Sequence, residues 1–484
     1  ENGGTWKPLH LTAGADVTVP APAAANSAEY QTELAATKSA RAAATASQLE
    51  KVEYWGANPV ARWAQIASDL MAKYNLPPAP NADGSYTFPN ADSTRNNPAF
   101  YPAFPFANPP YAARGYAYWG AAQFDALIAA WHWKKEYNRP ALHKTDASIQ
   151  PVLPATDLPS YPSEDAVIAA VSRTILLAMF PGEKDYINGL AEEHKNSRLW
   201  AGMNVASDLA WGDTLGRKVA QKILSERASK DGMGKAAAVG PASNKSFYWD
   251  SLATAAQTNF GHHWSSLETP ARPPMLPFFA RVKMWHVPGG VASVRPGPPP
   301  AIGSDEFNRN ADELKNYMDD VTAENRRIAN FWSDGVGTYT PPGHWAITAA
   351  RLVYKYKYNP LRSARVFAYL GTTLMDAGIS CWDTKFYYHY PRPAEAIPGF
   401  KTLIGVPNFP AYTSGHSTFS GAAAEVLAYI FPAEAAYLQA QAKEASESRI
   451  ISGIHYRFDC EVGLTSGKNI GGMAVETAKA DKAD

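Results

Sequence analysis

Residues 408–432 read NFPAYTSGHSTFSGAAAEVLAYIFP, a turn-forming segment that runs directly into an alanine-rich apolar stretch. Apolar residues recur there at helical spacing, which predicts a helix that begins near Gly415. The first turn of such a helix has free backbone N–H groups and the positive end of the helix dipole, and both favour an anion. Ser414 and Gly415 therefore mark a candidate oxyanion site, although an ordinary helix cap explains this pair when it is taken alone.

A related pattern occurs 251 positions earlier in the chain. The segment YTSGHS at 412–417 corresponds to YPSEDA at 161–166, and the match continues on both sides without a gap. Identical residues at this separation are Arg114/Arg365, Asp125/Asp376, Trp131/Trp382, Lys134/Lys385, Ser163/Ser414, Phe180/Phe431, Arg198/Arg449, Asp208/Asp459 and Gly212/Gly463. So many gap-free matches predict two related halves, at about 55–225 and 320–475.

Helical periodicity dominates both halves, and alternating strand patterns are scarce. We therefore expect a mainly α protein, with two related helical bundles from an internal duplication packed as one large domain. The expected parts are an N-terminal arm (1–54), a first bundle (55–225), a Pro/Gly-rich connection (226–319), a second bundle (320–475) and a C-terminal tail (476–484). The connection is expected to be a long ordered loop that lines or covers a site, and both termini are expected to fray.

Composition excludes several classes of protein. Equal numbers of acidic and basic residues, 45 of each, provide no net field to recruit nucleic acid or an anionic membrane. No stretch has the roughly 18–20 uninterrupted apolar residues of a membrane helix. The chain starts at Glu1 rather than methionine, so we expect a processed protein that is periplasmic or secreted. Cys381 and Cys460 exclude a disulfide-rich scaffold but permit either one bridge or two unpaired thiols.

The two halves differ in chemical character at three positions near the candidate site. Gly415, His416 and His455 of the second half correspond to Glu164, Asp165 and Asn204 of the first. Two adjacent carboxylates repel an anion at short range. We therefore expect the first half to be a degenerate, structural copy, and only the second half to carry a working site.

The second half has four short segments rich in cations and titratable groups. They supply Lys385 and Arg392 (KFYYHYPRP), Ser414, Gly415 and His416 (TSGHS), Arg449, His455 and Asp459 (SRIISGIHYRFD), and Asp334 (FWSDG). The planar fork of an arginine matches a tetrahedral oxyanion, and a lysine adds a compact charge. Asp459 lies one helical turn after His455, so its carboxylate can fix the imidazole tautomer and leave the other nitrogen free. Singly, each residue has an ordinary structural explanation; together they predict a site for phosphate, vanadate or sulfate.

The order and spacing of these residues resemble the three-part signature of the vanadium-dependent haloperoxidases. That signature is shared with the phosphatidic acid phosphatase type 2 superfamily, which includes bacterial acid phosphatases. The TSGHS segment, with Trp382 and Phe409, is more similar to the bacterial haloperoxidases than to the algal ones. Thr413 and Ser417 depart from the proline and alanine that usually flank Ser-Gly-His.

The resemblance implies a vanadate cofactor and a role for each matching residue. The equatorial oxygens of vanadate would be bound by Lys385, Arg392, Ser414, Gly415 and Arg449, and the vanadium would be coordinated by His455. His416 would be the acid–base group, Asp459 would orient His455, and Asp334 would pair with Arg449. The halide side would be lined by Trp382 and Phe409. Since these segments would converge, we also expect a disulfide between Cys381 and Cys460 behind the site.

The implied activity is oxidation of halide, iodide or bromide first, by hydrogen peroxide to a hypohalous species. An acid phosphatase using the same pocket, with His455 as nucleophile and His416 protonating the leaving group, is the main alternative. The length of the chain and its duplication favour the haloperoxidase. A non-catalytic anion-binding protein is a third hypothesis. His416 and His455 argue against it, because anion binding alone requires neither histidine.

Overall fold

The fold is given by a computed structural model that describes residues 2–86, 107–236, 241–243, 246–247 and 250–483. Helices dominate this part of the chain, as the sequence predicts. The helices of the N-terminal half are α1 (Ala28–Ala42), α2 (Ala46–Ala57), α3 (Pro59–Tyr74), α4 (Pro109–Tyr137), α5 (Leu142–Thr145), α6 (Glu164–Met179), α7 (Lys184–Trp200) and α8 (Ala206–Glu226).

The central region and the C-terminal half are also mainly helical in the described residues. The central region holds α9 (Met233–Ala236), the antiparallel strands β1 (Pro241–Ser243) and β2 (Ser246–Phe247), α10 (Asp250–Phe260) and α11 (Asp305–Asp319). The C-terminal half holds α12 (Ala323–Phe331), α13 (Thr340–Lys355), α14 (Pro360–Tyr388), α15 (Pro393–Ala396), α16 (Gly415–Ile430), α17 (Ala435–Ile451) and α18 (Arg457–Lys479).

Helix boundaries repeat at the separation found in the sequence. Helices α4 and α14 have 29 residues each, α6 and α16 have 16, and α7 and α17 have 17, with starts 251 positions apart in every pair. The cores of both halves therefore have the same arrangement of helices. That the halves arose by duplication stays a prediction, as do the exact domain boundaries.

The two bundles meet along α4 and α14, the longest described helices, which are buried over nearly their whole lengths. Close approach of their backbones requires glycine at the crossing. A Cβ atom at Gly120 would lie 2.4 Å from the carbonyl oxygen of Phe367, and one at Gly371 would lie 2.5 Å from that of Tyr116. The contact joins the halves into one large domain, because a single hydrophobic cluster continues across it.

Each central helix also anchors a crossing segment through a buried carboxylate. Asp125 accepts hydrogen bonds from the backbone N–H groups of residues 9–11 at 2.8–2.9 Å. Asp376, its counterpart on α14, accepts them from Trp285 and His286 at 2.7 Å. Burial raises the pKa of Asp125 to about 6 and that of Asp376 to about 7, despite these bonds.

The raised pKa of Asp376 predicts a pH-dependent stability. A folded-state pKa of about 7, above the ordinary value of 3.8, means that the folded protein binds the proton more tightly than the unfolded chain. The free energy of unfolding should therefore fall as pH rises from about 4 to about 7, relative to Asp376→Asn, in which this group does not titrate. Urea unfolding at pH 4, 5.5 and 7 measures the free energy of unfolding of both proteins. The prediction is contradicted if wild type becomes more stable relative to Asp376→Asn as pH rises.

Both termini are more ordered than expected, and the connection, expected to be an ordered loop, contains helices. Helices α1 and α2 lie within the predicted N-terminal arm, and α18 extends into the predicted tail. Buried Asp481 pairs with Arg365 at 2.7 Å, which ties down the end of the chain. The predicted loop at 226–319 contains α10 and α11. Helix α11 was not predicted because its sequence is mostly polar and only Phe307, Ala311 and Leu314 are buried. So narrow an apolar stripe is not evident from the composition of the segment.

Neither cysteine forms the expected disulfide, since Cys381 and Cys460 are both buried free thiols. The segment before α16 accounts for this arrangement. The Sγ atom of Cys381 lies 3.5 Å from the carbonyl oxygen of Thr413, while the thiol of Cys460 is hydrogen-bonded to Ser414 and Ser417. Each thiol therefore contacts the 413–417 segment instead of the other cysteine.

In the described residues, each helix is too short or too polar to cross a bilayer.

Candidate active site

The predicted site residues come from the ends of five helices in the second half. They are Lys385 in the last turn of α14, Arg392 at the start of α15, Ser414, Gly415 and His416 at the start of α16, Arg449 in the last turn of α17, and His455 and Asp459 at the start of α18. Ser414 is the N-cap of α16, and its Oγ accepts from the N–H of Ser417 at 3.3 Å. Its own N–H donates to the carbonyl oxygen of Asp459 at 3.0 Å, which joins α16 to α18.

His455 is held between a carboxylate and a guanidinium. Its Nδ1 lies 2.9 Å from Oδ2 of Asp459, and its Nε2 lies 2.9 Å from Nη1 of Arg392. These contacts assign a proton to Nδ1 and a lone pair to Nε2. Burial, followed by the nearby Arg392 and Lys385, lowers the pKa of His455 well below its usual value. The ring is therefore neutral and its tautomer is set by Asp459 as predicted, but its other nitrogen is not free as predicted, because Arg392 donates to it.

Lys385 and Arg392 are fully buried and bind backbone carbonyls. Nζ of Lys385 donates to the carbonyl oxygens of Pro410 and Ala411 at 2.8 Å, and Nε of Arg392 donates to that of Phe409 at 2.9 Å. Both cations lie about 5 Å from the centre of the Phe409 ring, at 5.0 and 4.9 Å. Burial lowers the pKa of Lys385 to about 7 and that of Arg392 to about 10.

Arg449 is oriented by the chain between α12 and α13. Its Nη2 donates to the carbonyl oxygen of Trp332 at 2.6 Å, and its Nε donates to Oγ of Ser448 at 2.9 Å. Burial lowers its pKa to about 10. Carbonyl dipoles rather than a carboxylate therefore orient this guanidinium.

The pairing of Asp334 differs from the prediction. We expected an ion pair with Arg449, but Oδ1 of Asp334 lies 3.1 Å from Nδ1 of His344, and Oδ2 lies 3.6 Å from Nε2 of His416. Burial opposes ionisation of Asp334, yet its interactions with the two histidines outweigh it and lower its pKa to about 2. Arg449 acts on this carboxylate only through longer-range attraction. Asp334 is thus the anionic centre of a His344–Asp334–His416 arrangement.

His416 stands at the N-terminal turn of α16 as a neutral base. Burial, and then the charge of Arg449, lowers its pKa to about 4, although Asp334 opposes this. The 3.6 Å separation from Asp334 exceeds a hydrogen bond, and both facing atoms lack a hydrogen-bond partner within the described part of the chain. The imidazole therefore has room to take up a proton that the carboxylate would stabilise.

A cavity of about 360 Å³ opens onto this cluster. The predicted site residues that line it are Trp382, Phe409, Gly415, His416, Arg449, His455 and Asp334. Trp382 and Phe409 contact each other, with ring centres 5.1 Å apart. Lys385, Arg392, Ser414 and Asp459 are not among the lining residues, and the charged groups of Lys385 and Arg392 lie 5.0 and 4.9 Å from the centre of the Phe409 ring.

The base of the cavity fits an oxyanion. Three buried basic side chains, from Lys385, Arg392 and Arg449, lie near two buried carboxylates, Asp334 and Asp459, and burial raises the pKa of Asp459 to about 7. Nη2 of Arg392 is buried and has no hydrogen-bond partner among the residues the structure describes. Uncompensated buried charge is costly, so this donor set favours an anion with several acceptor oxygens.

Sequence reasoning missed several residues of the site. The connection contributes Glu268, Arg272 and Met275 to the cavity, which agrees with the expectation that it lines a site. His344 is the most informative omission. It follows Gly343 in the first turn of α13, the same Gly-His pattern that marks α16, so the signal was present but was taken for part of an ordinary helix.

The contact of His344 with Asp334 predicts a measurable contribution to stability. His344→Phe keeps a ring stacked on Trp332, which lies 4.2 Å away between ring centres, but removes the hydrogen-bond donor. A hydrogen bond to a charged group is worth about 1.5–3 kcal/mol, so the free energy of unfolding should fall by about that amount. His344→Asn, which keeps a donor, should lose less. Denaturant unfolding of the three proteins tests the order; a larger loss in His344→Asn than in His344→Phe would assign the effect to ring packing.

The corresponding place in the first bundle is closed by its own carboxylates. Glu164 pairs with Lys134 at 3.6 Å, and Asp165 pairs with Arg198 at 3.5 Å. The cavity there is only about 80 Å³. The two cations that correspond to Lys385 and Arg449 are therefore neutralised within the chain, which explains physically why a structural copy would bind no anion.

Comparisons with known proteins concern the family and the fold. Residues 365–478 match the model of the PAP2 superfamily. A stretch of 172 residues is 28% identical to the vanadium chloroperoxidase of Curvularia inaequalis, and this match spans 26% of the chain and only 27% of that enzyme.

Three solved structures share the architecture. A bacterial vanadium-dependent iodoperoxidase superposes with a TM-score of 0.60 at 23% identity, over 76% of this chain and 91% of that one. The apo form of a bacterial vanadium-dependent chloroperoxidase gives 0.53 at 13% identity, over 75% and 92% of the two chains. A holo form gives 0.52 at 14% identity, over 81% and 98%. The protein therefore has the all-α fold of the vanadium-dependent haloperoxidases and carries a PAP2 superfamily domain in its second bundle.

Proposed function

We propose that this protein is a vanadium-dependent haloperoxidase that oxidises halide, iodide or bromide, with hydrogen peroxide to a hypohalous species. The observation that carries the proposal is the neutral His455. Its Nε2 lies at the base of the cavity and accepts from Nη1 of Arg392, whose Nη2 has no partner among the described residues, so a ligand at Nε2 would replace that contact. A neutral imidazole within a surplus of buried cations suits an oxyanion that also accepts a nitrogen ligand.

The residues present fit vanadate. His455 would hold the vanadium through Nε2, and the oxygens would be held by Lys385, Arg392, Ser414, Gly415 and Arg449. When bound, vanadate supplies an electrophilic centre that activates hydrogen peroxide toward halide without a change in its own oxidation state. The chain supplies positive charge that stabilises the anionic oxygens, and Asp459 keeps His455 in the required tautomer.

His416 is proposed to move the protons. Its pKa of about 4 leaves the ring unprotonated at neutral pH, so it can accept a proton from incoming hydrogen peroxide. Asp334 would then stabilise the imidazolium through Nε2, at 3.6 Å in the structure. Trp382 and Phe409 form an apolar wall on the side from which a weakly hydrated halide such as iodide would approach.

An acid phosphatase is the second candidate, because the match to the PAP2 superfamily covers Lys385, Arg392, the 414–416 segment, Arg449, His455 and Asp459. In that reaction Nε2 of His455 would attack phosphorus, and His416 would protonate the leaving oxygen. The haloperoxidase is preferred because the likeness of fold to haloperoxidases extends over both bundles.

Activity assays separate these functions. Protein incubated with orthovanadate is tested for oxidation of iodide, bromide and chloride by hydrogen peroxide, and untreated protein is tested for phosphate release. Vanadate-dependent oxidation is the expected result. Phosphate release that vanadate inhibits, without halide oxidation, would favour the phosphatase. Neither activity, together with oxyanion binding that His416→Ala leaves unchanged, would favour a non-catalytic protein.

A further inference from the structure

The first bundle contributes a buried polar side chain to the cavity of the second. Asn75 is the C-cap of α3, is 4% exposed and lines the cavity. It belongs to the half that was expected to be only a structural copy. A buried amide is costly unless its polar atoms find hydrogen-bond partners, so the partners of Asn75 indicate what it holds in place.

The hydrogen bonds of Asn75 converge on one loop of the second half, residues 335–338. Its Nδ2 donates to the carbonyl oxygens of Gly335 at 2.9 Å and Thr338 at 3.0 Å. Its own carbonyl oxygen accepts from the N–H of Gly337 at 2.9 Å. Within the described ranges, the other hydrogen bonds of this loop come from the loop itself or from the residues that directly follow it.

The 335–338 loop directly follows Asp334, the carboxylate that faces His416. Asp334 has a φ of 41°, in the left-handed region of backbone conformation. A residue with a side chain keeps this conformation only where its surroundings impose it. Packing does not hold the loop, since Val336 is 63% exposed and the glycines on either side of it are exposed as well. The hydrogen bonds from Asn75 are therefore the contacts that fix it.

We propose that Asn75 is a positioning residue, through which the first bundle holds Asp334 in place beside His416. The proposal rests on the acid–base role of His416 in the proposed function. Oδ2 of Asp334 lies 3.6 Å from Nε2 of His416, while Oδ1 lies 3.1 Å from Nδ1 of His344. A displaced carboxylate no longer stabilises the imidazolium, and a misplacement of about 1 Å can cost about 100-fold in rate. The first bundle thus takes part in the reaction without binding the oxyanion.

Replacing Asn75 by leucine removes both donors, keeps a side chain of similar shape and adds no charge. Turnover of vanadate-loaded protein with iodide, or phosphate release, should fall at least about tenfold. The affinity of untreated protein for phosphate should stay within about threefold of wild type, because the interaction that is lost acts on proton transfer rather than on binding. Asn75→Gln keeps two donors on a longer side chain and should lose less turnover. Kinetics beside calorimetric titration measure both quantities.

Asn58, at the other end of α3, provides the matched control. It is also 4% exposed, and its Nδ2 also joins the two halves, at 3.0 Å from the carbonyl oxygen of Tyr358 and 2.9 Å from Oγ of Ser363. It is not among the cavity residues. Because Asn58 is the N-cap of α3, Asn58→Leu should lower the melting temperature at least as much as Asn75→Leu does. Turnover should nevertheless stay within about twofold of wild type. Equal losses of turnover in the two variants would overturn the proposal.

A double-mutant cycle tests whether Asn75 acts through Asp334. Once Asp334→Asn is present, Asn75→Leu should change turnover by less than about twofold. Losses that multiply in the double variant would overturn the proposal, because Asn75 would then act independently of the carboxylate.

Hydrogen exchange of the protein without vanadate provides a readout that does not depend on turnover. Peptides covering residues 333–340 should exchange faster in Asn75→Leu than in wild type, and Asn58→Leu should leave their exchange unchanged. Unchanged exchange in Asn75→Leu would overturn the proposal. If wild type shows neither halide oxidation nor phosphate release, the proposed function fails, and hydrogen exchange alone decides whether Asn75 holds the loop. The two failures are therefore distinguishable.

Discussion

Replacing Arg449 by alanine will weaken oxyanion binding by at least about 30-fold. The guanidinium is buried at the base of the cavity and is already oriented by Ser448 and Trp332, so it offers a bound anion a charge without further ordering. Loss of one partner of a buried, hydrogen-bonded charge pair costs about 2–5 kcal/mol, and 1.4 kcal/mol corresponds to a factor of ten. Calorimetric titration with phosphate and with orthovanadate measures the change.

The chain contains its own control for this prediction. Arg198 occupies the corresponding position in the first bundle, where Asp165 neutralises it. Arg198→Ala should lower stability, since it leaves the partly buried Asp165 with only His194 as a close partner, at 3.0 Å, while oxyanion affinity stays within about twofold of wild type. Equal losses of affinity in both variants would show that binding responds to general destabilisation rather than to the second-bundle pocket.

Much of the fold could be predicted because the signal is local and repeated. Apolar residues at helical spacing identify α4, α6, α14 and α16, and the 251-residue separation aligns them in pairs. Helix α11 escaped because its polar sequence buries one narrow stripe. The termini were mistaken for frayed ends because the tie between Asp481 and Arg365 joins residues 116 positions apart.

Local sequence patterns predicted part of the site, as they did part of the fold, but they did not predict contacts between distant segments. His455 and Asp459 were expected on one helix, but α18 begins at Arg457, so His455 reaches Asp459 from the turn that precedes the helix. The N-cap of α16 follows from Ser414. The partner of Asp334 did not follow, since His344 reaches it from the first turn of another helix. Nor does any local pattern reveal that Lys385 binds backbone carbonyls 25 and 26 positions away. Tertiary contacts decide such partners, and a single sequence carries little record of them.

Replacing His455 by alanine will reduce turnover at least about 1,000-fold, a larger effect on the reaction than on binding. Removal of the central nucleophile or ligand from a catalytic group that acts as a unit commonly costs several orders of magnitude. Lys385, Arg392 and Arg449 all remain, so affinity for phosphate should change by less than about tenfold. Vanadate-dependent halide oxidation, or phosphate release, is measured beside calorimetric binding of phosphate.

The matched control is Asn204→Ala, at the position of the first bundle that corresponds to His455. Asn204 donates to the carbonyl oxygen of Ser160 at 2.9 Å and to Asp208 at 3.3 Å, so its loss should affect stability and not turnover. Asp459→Asn gives an intermediate case, because the buried partner of Nδ1 loses its charge. Such outer partners of a ligand are worth about 10–100-fold.

The order of these effects is the sharper test. If His455 acts through its Nε2 lone pair, turnover must fall in the order wild type, Asp459→Asn, His455→Ala, while phosphate affinity changes little along the series. A purely structural role for His455 predicts instead that affinity and turnover decline together, because collapse of the cavity base would displace Arg392, whose Nη1 lies 2.9 Å from the ring. More than a tenth of wild-type turnover in His455→Ala would remove this residue from the reaction.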